Sequence, residues 1–162
     1  MWSDRCVGQN NNWKMVALIQ HLVVNNYFTT VEQKFMTTGH SFLPCDREFA
    51  LIERKKKAAM VYVPHQWVEV IVNAATKFEV MLMATEDIKD LSIVERSLNK
   101  GDFRITQYVW LKIMHDDPTT LQARTSHNIL QQWTSHCIAK KMKGRSKLNL
   151  PPVKVAQFPR LY

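Results

Sequence analysis

The repeat of apolar positions changes period along the first half of the chain. Met15, Val16, Ala17, Leu18, Ile19, Leu22, Val23 and Val24 are apolar nearly all round a helical repeat, which predicts a deeply buried helix over residues 9–26. Asn10 to Asn12 offer capping side chains ahead of Trp13, and Asn25–Asn26 are stop signals. From Thr29 to Met36 the period drops to two. Val31, Gln33 and Phe35 alternate with Thr30, Glu32 and Lys34, the pattern of a strand. A short strand-like piece at Met1–Asp4 precedes the helix. After a loop over Thr37–Leu43, Pro44, Asp46 and Glu48 suit the first turn of a helix that runs to about Ala59.

Further on, Val61–Val63 reads as a short extended piece closed by Pro64. His65–Lys77 reads as an amphipathic helix with Trp67, Val70, Ile71 and Ala74 on one face. Phe78–Met83 has the apolar run of a buried strand, and Thr85 suits the cap of a short helix through Leu91. Phe103–Met114 has strand residue types, Asp116-Asp117-Pro118 reads as a turn, and Leu121–Ser126 and Ile129–Ile138 read as extended. Helix and strand alternate early and strands follow. The expected class is α/β: a mixed sheet with flanking helices, then additional strands and a basic tail.

Composition narrows this. The 162 residues are 46% hydrophobic, enough for a packed core and too apolar for a disordered chain. Only 4 Gly and 6 Pro exclude collagen-like or linker sequence. The net charge of +8 is unevenly placed. Residues 1–139 hold 15 basic and 14 acidic groups, whereas residues 140–162 hold seven basic groups and no acid. The body is near neutral and the excess belongs to the tail. Cys6, Cys45 and Cys137 are odd in number and far apart, which argues against a secreted disulfide framework. No apolar run is long enough to span a membrane, and the first residues lack the pattern of a signal peptide. An intracellular, reducing setting is expected, with no membrane partner.

Chemistry is most concentrated at Ser3-Asp4-Arg5-Cys6-Val7-Gly8-Gln9-Asn10, where a carboxylate sits at a strand end before a turn and a helix. Ligands bind outside the carboxyl ends of strands in open α/β sheets. Asp4 is equally read as a turn or capping residue. A second group is Gly39-His40-Ser41-Phe42-Leu43-Pro44-Cys45-Asp46, followed by Glu53. Asp46 and Glu53 share a helix face but lie about 10.5 Å apart along the axis, too far to ligate one small metal cluster together. The plainer reading makes Asp46 a helix-dipole partner and Glu53 part of a solvated face, in an i,i+4 pair with Lys57. Carboxylates converging at a sheet edge would suit Mg²⁺ or Mn²⁺ and phosphoryl transfer. Cys6, His40 and Cys45 are competent zinc ligands, but no Cys-x-x-Cys pair supports that reading. Trp13, Trp67, Tyr108, Trp110 and Trp133 fall mostly at core-like positions, with base stacking open only to an exposed one.

Several blocks together resemble a known pattern: Ser3-Asp4-x-Cys6-x-Gly8-Gln9-Asn10-x-Asn12, Lys34-Phe35, Gly39-His40-Ser41, and Asp46-x-x-Phe49-x-x-Ile52-Glu53. Tyr62-x-Pro64-x-x-Trp67, the Trp110 stretch, Lys140–Arg145 and the closing Tyr162 extend it. They resemble a family of transposon-derived eukaryotic domains of unknown function, related to the RNase H-like (DDE transposase) fold. The resemblance implies a partial RNase H-like sheet: residues 1–83 as its C-terminal part, 84–139 as a strand-rich extension and 140–162 as a basic tail. It implies that Asp4 matches the second acid of a DDE triad, at the end of the fourth strand. Asp46, or else Glu53, matches the third. Gln9, Asn10 and His40 would lie near that site, with Mg²⁺ or Mn²⁺ as the ion on Asp4 and Asp46. Full-length relatives carry three further strands and the first acid upstream. By that comparison this chain has an unpaired sheet edge and an incomplete metal site, so no nuclease or strand-transfer activity is expected of it alone.

Two function classes follow. One is a remnant of a metal-dependent polynucleotidyl transferase. The other is a non-catalytic module that binds nucleic acid, DNA being the natural candidate, or another protein. It would use Arg54, Lys55, Lys56 and Lys57 together with Lys140, Lys141, Lys143 and Arg145. Lys140–Arg145 also resembles a nuclear-localisation run. A solvated tail without a partner accounts for the same charges.

Overall fold

The computed structural model describes residues 1–37, 39 and 43–140, and the backbone of 154–155. In chain order its elements are β1 (Trp2–Ser3), α1 (Trp13–Val24), β2 (Thr30–Phe35), α2 (Pro44–Lys56), α3 (Gln66–Val72) and β3 (Lys89–Asp90). They continue with α4 (Ser92–Ser97), β4 (Trp110–Met114), β5 (Asp117–Arg124), β6 (Thr134–Cys137) and β7 (Lys154–Val155). Single 3₁₀ turns occupy Thr85–Asp87 and Ile105–Gln107. The chain divides into two compact units, Met1–Ser41 with Thr85–Tyr162, and Phe42–Ala84.

The first unit is built on a five-stranded mixed sheet in the order β1-β2-β4-β5-β6. β1 and β2 are parallel, and the remaining pairs are antiparallel. Parallel neighbours need a crossover, and α1 supplies it. That helix starts at Trp13 because Asn12 caps it, its side chain accepting from Met15 N at 3.1 Å. Residues 9–11 turn instead on Cys6 O, which accepts from all three backbone N–H groups. At the other end Asn26 adopts φ 59°, a left-handed conformation that asparagine tolerates. Asn26 N donates to Val23 O and Tyr27 N to Leu22 O, the paired bonds of a Schellman stop.

The two-residue period of β2 then decides what is inside. Val31, Gln33 and Phe35 are buried, while Glu32 and Lys34 lie on the opposite face. Across the ladder Val31 faces Ile113, and Leu111 sits between Gln33 and Ala123. These side chains, with Leu121, pack with Val16, Ala17, Ile19 and Val23 of α1. Val94 and Leu98 of α4, Ile105 and Ile138 complete the core. The helix α1 is therefore buried along one stripe and not all round. Two amides enter this core and are bonded there: Gln20 Nε2 donates to Pro118 O, and Gln33 Nε2 to Ser3 Oγ.

In the second unit α2 begins at Pro44, and α3 ends at Val72 rather than Lys77. Asn73 caps α3, its backbone N–H donating to Glu69 O, and asparagine is a poor residue for continuing a helix. Gln66 Oε1 accepts from Tyr62 N and Val63 N, so Val61–Val63 is tied to α3 and forms no strand. The predicted strand at Phe78–Met83 does not form. A strand needs a neighbour for its backbone groups, and among the described residues this unit contains none. Met81, Leu82 and Met83 are instead exposed at 83%, 73% and 58%.

Other boundaries move. The helix expected at Thr85–Leu91 is a 3₁₀ turn followed by β3, which pairs with β7. A helix follows at Ser92, where Asp90 Oδ1 accepts from Ser92 N at 2.8 Å. The strand expected at Phe103–Met114 is confined to Trp110–Met114. The turn expected at Asp116–Pro118 lies at His115–Asp116, so β5 starts at Asp117.

Ile113→Ala and Leu121→Ala should each cost about 2–5 kcal/mol in urea unfolding, and exposed Thr30→Ala less than about 0.5. Near-equal losses for all three would show that the core is elsewhere. The Asp117 carboxyl is held below the ordinary carboxylate range, first by the Thr119 hydroxyl and then by that of Thr120. A lowered folded value adds stability that is full above the ordinary value of about 3.9 and is lost as pH falls through the folded value. Asp117→Asn should therefore lower stability at neutral pH and leave the most acid region little changed, which flattens the acid limb of a stability–pH profile.

Candidate functional site

Asp4 follows β1, at the edge of the five-stranded sheet. One of its oxygens, Oδ1, accepts from Cys6 N at 3.1 Å and from Asn10 Nδ2 at 2.6 Å. That carboxylate closes the turn that leads into α1. Gln9 is exposed on the same turn. Asp46 lies in the other unit, in the first turn of α2, where its Oδ2 accepts from Leu43 N at 2.6 Å. This is half of a capping box, since leucine has no oxygen with which to reciprocate. Glu53 is exposed on the same helix. His40 lies outside the described residues. Among the described residues no three His, Cys, Asp or Glu side chains are grouped so as to hold a metal ion. Cys6, Cys45 and Cys137 are all exposed and free.

Arg54, Lys55 and Lys56 occupy the last turn of α2 and Lys57 its cap, all exposed. Cations there complement the negative end of the helix dipole. Lys56 Nζ also lies 5.4 Å from the Trp67 ring centre. Lys140 is bound in place: its Nζ donates to Arg96 O at the end of α4. Lys141, Lys143 and Arg145 lie outside the described residues. Among the described residues no helix is long and apolar enough to cross a membrane.

The most developed chemical surface includes two rings, Trp110 and Trp133, that the sequence pattern placed at core-like positions. On the sheet face opposite the α1 core, the register aligns Trp2 with Lys34, Lys34 with Trp110, and Trp110 with Arg124. Trp133, just before β6, continues the row. Aromatic and cationic groups thus alternate across β1, β2, β4 and β5 and end at the residue before β6. Lys34 Nζ lies 3.8 Å from the Trp110 ring centre and 5.5 Å from that of Trp2. Arg124 Cζ lies 4.0 Å from Trp133 and 5.0 Å from Trp110. Lys112, in the adjoining row, lies 4.3 Å from Trp133. Such contacts contribute about 0.5–1 kcal/mol when exposed and about 2 when desolvated.

Glu32 is the acid on this face; it accepts from Trp110 Nε1 at 3.1 Å and lies 3.9 Å from Lys34 Nζ. Among the described residues Arg124, only 9% exposed, has no carboxylate partner, and its Nε is buried without a hydrogen bond. His127 packs 5.3 Å from Trp2 and donates through Nε2 to Phe35 O. The signal was present in the alternation itself: the positions between Val31, Gln33 and Phe35 are Glu32 and Lys34, and the register brings their neighbours to the same face.

A family model described as a domain of unknown function (DUF7869) matches residues 2–100. The chain belongs to that family. The DUF7869 match takes in β1 through α4, hence Asp4, Asp46, Trp2 and Lys34, and stops before Trp110, Arg124 and Trp133. No curated protein and no solved structure matches the chain.

Asp4→Ala should cost about 1–2 kcal/mol, because two donors lose their acceptor, and Asp4→Asn clearly less, because one oxygen remains. Thermal melts of both variants would decide the structural role. Equal losses would show that the negative charge, rather than the acceptor, is what matters.

Proposed function

We propose that the chain is a non-catalytic nucleic-acid-binding module, retained from an RNase H-like ancestor of transposon origin. The observation that carries the binding is Arg124, a nearly buried guanidinium with no carboxylate partner among the described residues, packed beside two indole rings. A buried charge without a counter-ion is costly, and an incoming phosphate would supply one. Lys34 and Lys112 stand on the same face, and Arg54–Lys57 form a second cationic group on α2.

The ancestry is supported by the motif resemblance and by the parallel β1-α1-β2 unit with a carboxylate at the end of β1. Loss of catalysis is supported by how the acids are used. Asp4 and Asp46 each spend an oxygen on their own backbone turns. A phosphoryl-transfer site needs those oxygens for Mg²⁺ or Mn²⁺.

The test is the affinity for a labelled oligonucleotide across a salt series. Each phosphate contact should contribute about −0.7 to −0.9 to the log–log slope. Lys34→Ala with Arg124→Ala should shallow the slope by about 1–2. Replacing Lys141, Lys143 and Arg145 by alanine measures what the C-terminal cations add. A flat salt response would exclude electrostatic binding. Mg²⁺-dependent DNA cleavage abolished by Asp4→Asn would overturn the non-catalytic reading.

A further inference from the structure

We propose that the row Trp2–Lys34–Trp110–Arg124–Trp133 is a platform for a single-stranded nucleic acid, its bases stacking on Trp2 and Trp133 and its phosphates meeting Lys34, Lys112 and Arg124. This rests on the nucleic-acid-binding reading and names the class of nucleic acid.

The rings have different roles. Trp110 is 7% exposed, bonded through Nε1 to Glu32 and packed edge-on against Trp133 at 5.2 Å. It is the scaffold of the row. Trp2 is 53% exposed and Trp133 partly so, one at each end, which leaves ring surface for a base. Every base has a flat face, so stacking tolerates any sequence, but it requires bases that are not already stacked within a duplex. Neighbouring strands lie about 4.8 Å apart, so four steps from β1 to β6 span about 19 Å. That is roughly six nucleotides at stacked spacing of 3.4 Å.

Charge selects the occupant. Among the described residues Lys34, Lys112 and Arg124 share this face with one acid, Glu32, and Glu32 is already engaged by Lys34 and Trp110. The surface is therefore net positive between two rings, which suits a polyanion with aromatic bases better than an apolar peptide. The ends of the row are also fixed. Trp2 is held by β1–β2 pairing, by Lys34 and by the His127 ring. Trp133 is held by Arg124 and Lys112. Rings already held in place lose little freedom when a base arrives.

The full chain would be titrated with a fluorescein-labelled ten-nucleotide oligo-dT and with a duplex of equal phosphate number, at fixed salt. The single strand should bind at least about tenfold tighter and quench tryptophan emission. Trp2→Ala and Trp133→Ala should each weaken single-strand binding about fivefold or more, and by a clearly larger factor than they weaken duplex binding. Trp133→Phe, which keeps a stacking face, should recover most of the loss and guards against a mere folding defect. Equal affinity for single strand and duplex, or tryptophan variants that change neither affinity nor quenching, would overturn the platform and leave electrostatic binding standing. No binding of either probe would overturn both.

Discussion

The sheet of the first unit depends on a single phase choice in β2. Val31, Gln33 and Phe35 must face α1, because α1 offers the apolar stripe of Val16, Ile19 and Val23 to that side. Successive strand residues point to opposite faces, so a slip of one residue would bury Glu32 and Lys34 and expose Phe35. The same choice places Lys34 beside Trp2 and Trp110 on the other face. Core and cationic row are thus two results of one constraint. Any change that shifts the β2–β4 register disrupts both.

That coupling explains which parts of the fold were legible in the sequence. The helix α1 and the strand β2 each combine a clear period with local stop signals, Asn12 and Asn26 for the helix and alternation for the strand. Pro44 and Asp46 marked the start of α2 for a similarly local reason. Failures came where the outcome depends on a distant partner. Phe78–Met83 has the composition of a buried strand, yet its fate is set by the absence of a pairing neighbour among the described residues of its unit. The helix α4 was missed although Leu91, Val94 and Leu98 follow a helical spacing and Asp90 caps it. Six residues are too short a window for periodicity to separate helix from loop.

The candidate chemistry shows the same division. Asp4 was identifiable as a turn residue or a metal ligand, and the partners of one of its oxygens show the first role. Cys6 N and Asn10 Nδ2 on Oδ1 make it the closure of the α1 entry turn. Trp110 and Trp133 were assigned to packing because large aromatic residues usually pack. Trp110 is indeed nearly buried, but under cations rather than among aliphatic side chains. Residue type alone cannot distinguish these, because the difference is which face of the sheet the register gives the ring.

Placing an arginine in this row has a further consequence. Arg124 Cζ lies 4.0 Å from the Trp133 ring centre and 5.0 Å from that of Trp110, and a guanidinium carries its N–H donors in its own plane, so hydrogen-bond acceptors approach along that edge. Lysine would keep the charge but lose that geometry, since its ammonium has no flat face to stack. Glu32 does not fill this role for Arg124, being bonded to Trp110 Nε1 and close to Lys34 on the other side of the ring. The row thus neutralises the Lys34 end internally and, among the described residues, leaves the Arg124 end without a counter-ion. Such polarity favours an anion over the β5–β6 half of the sheet, so a strand running across the row would be held most firmly near Trp133.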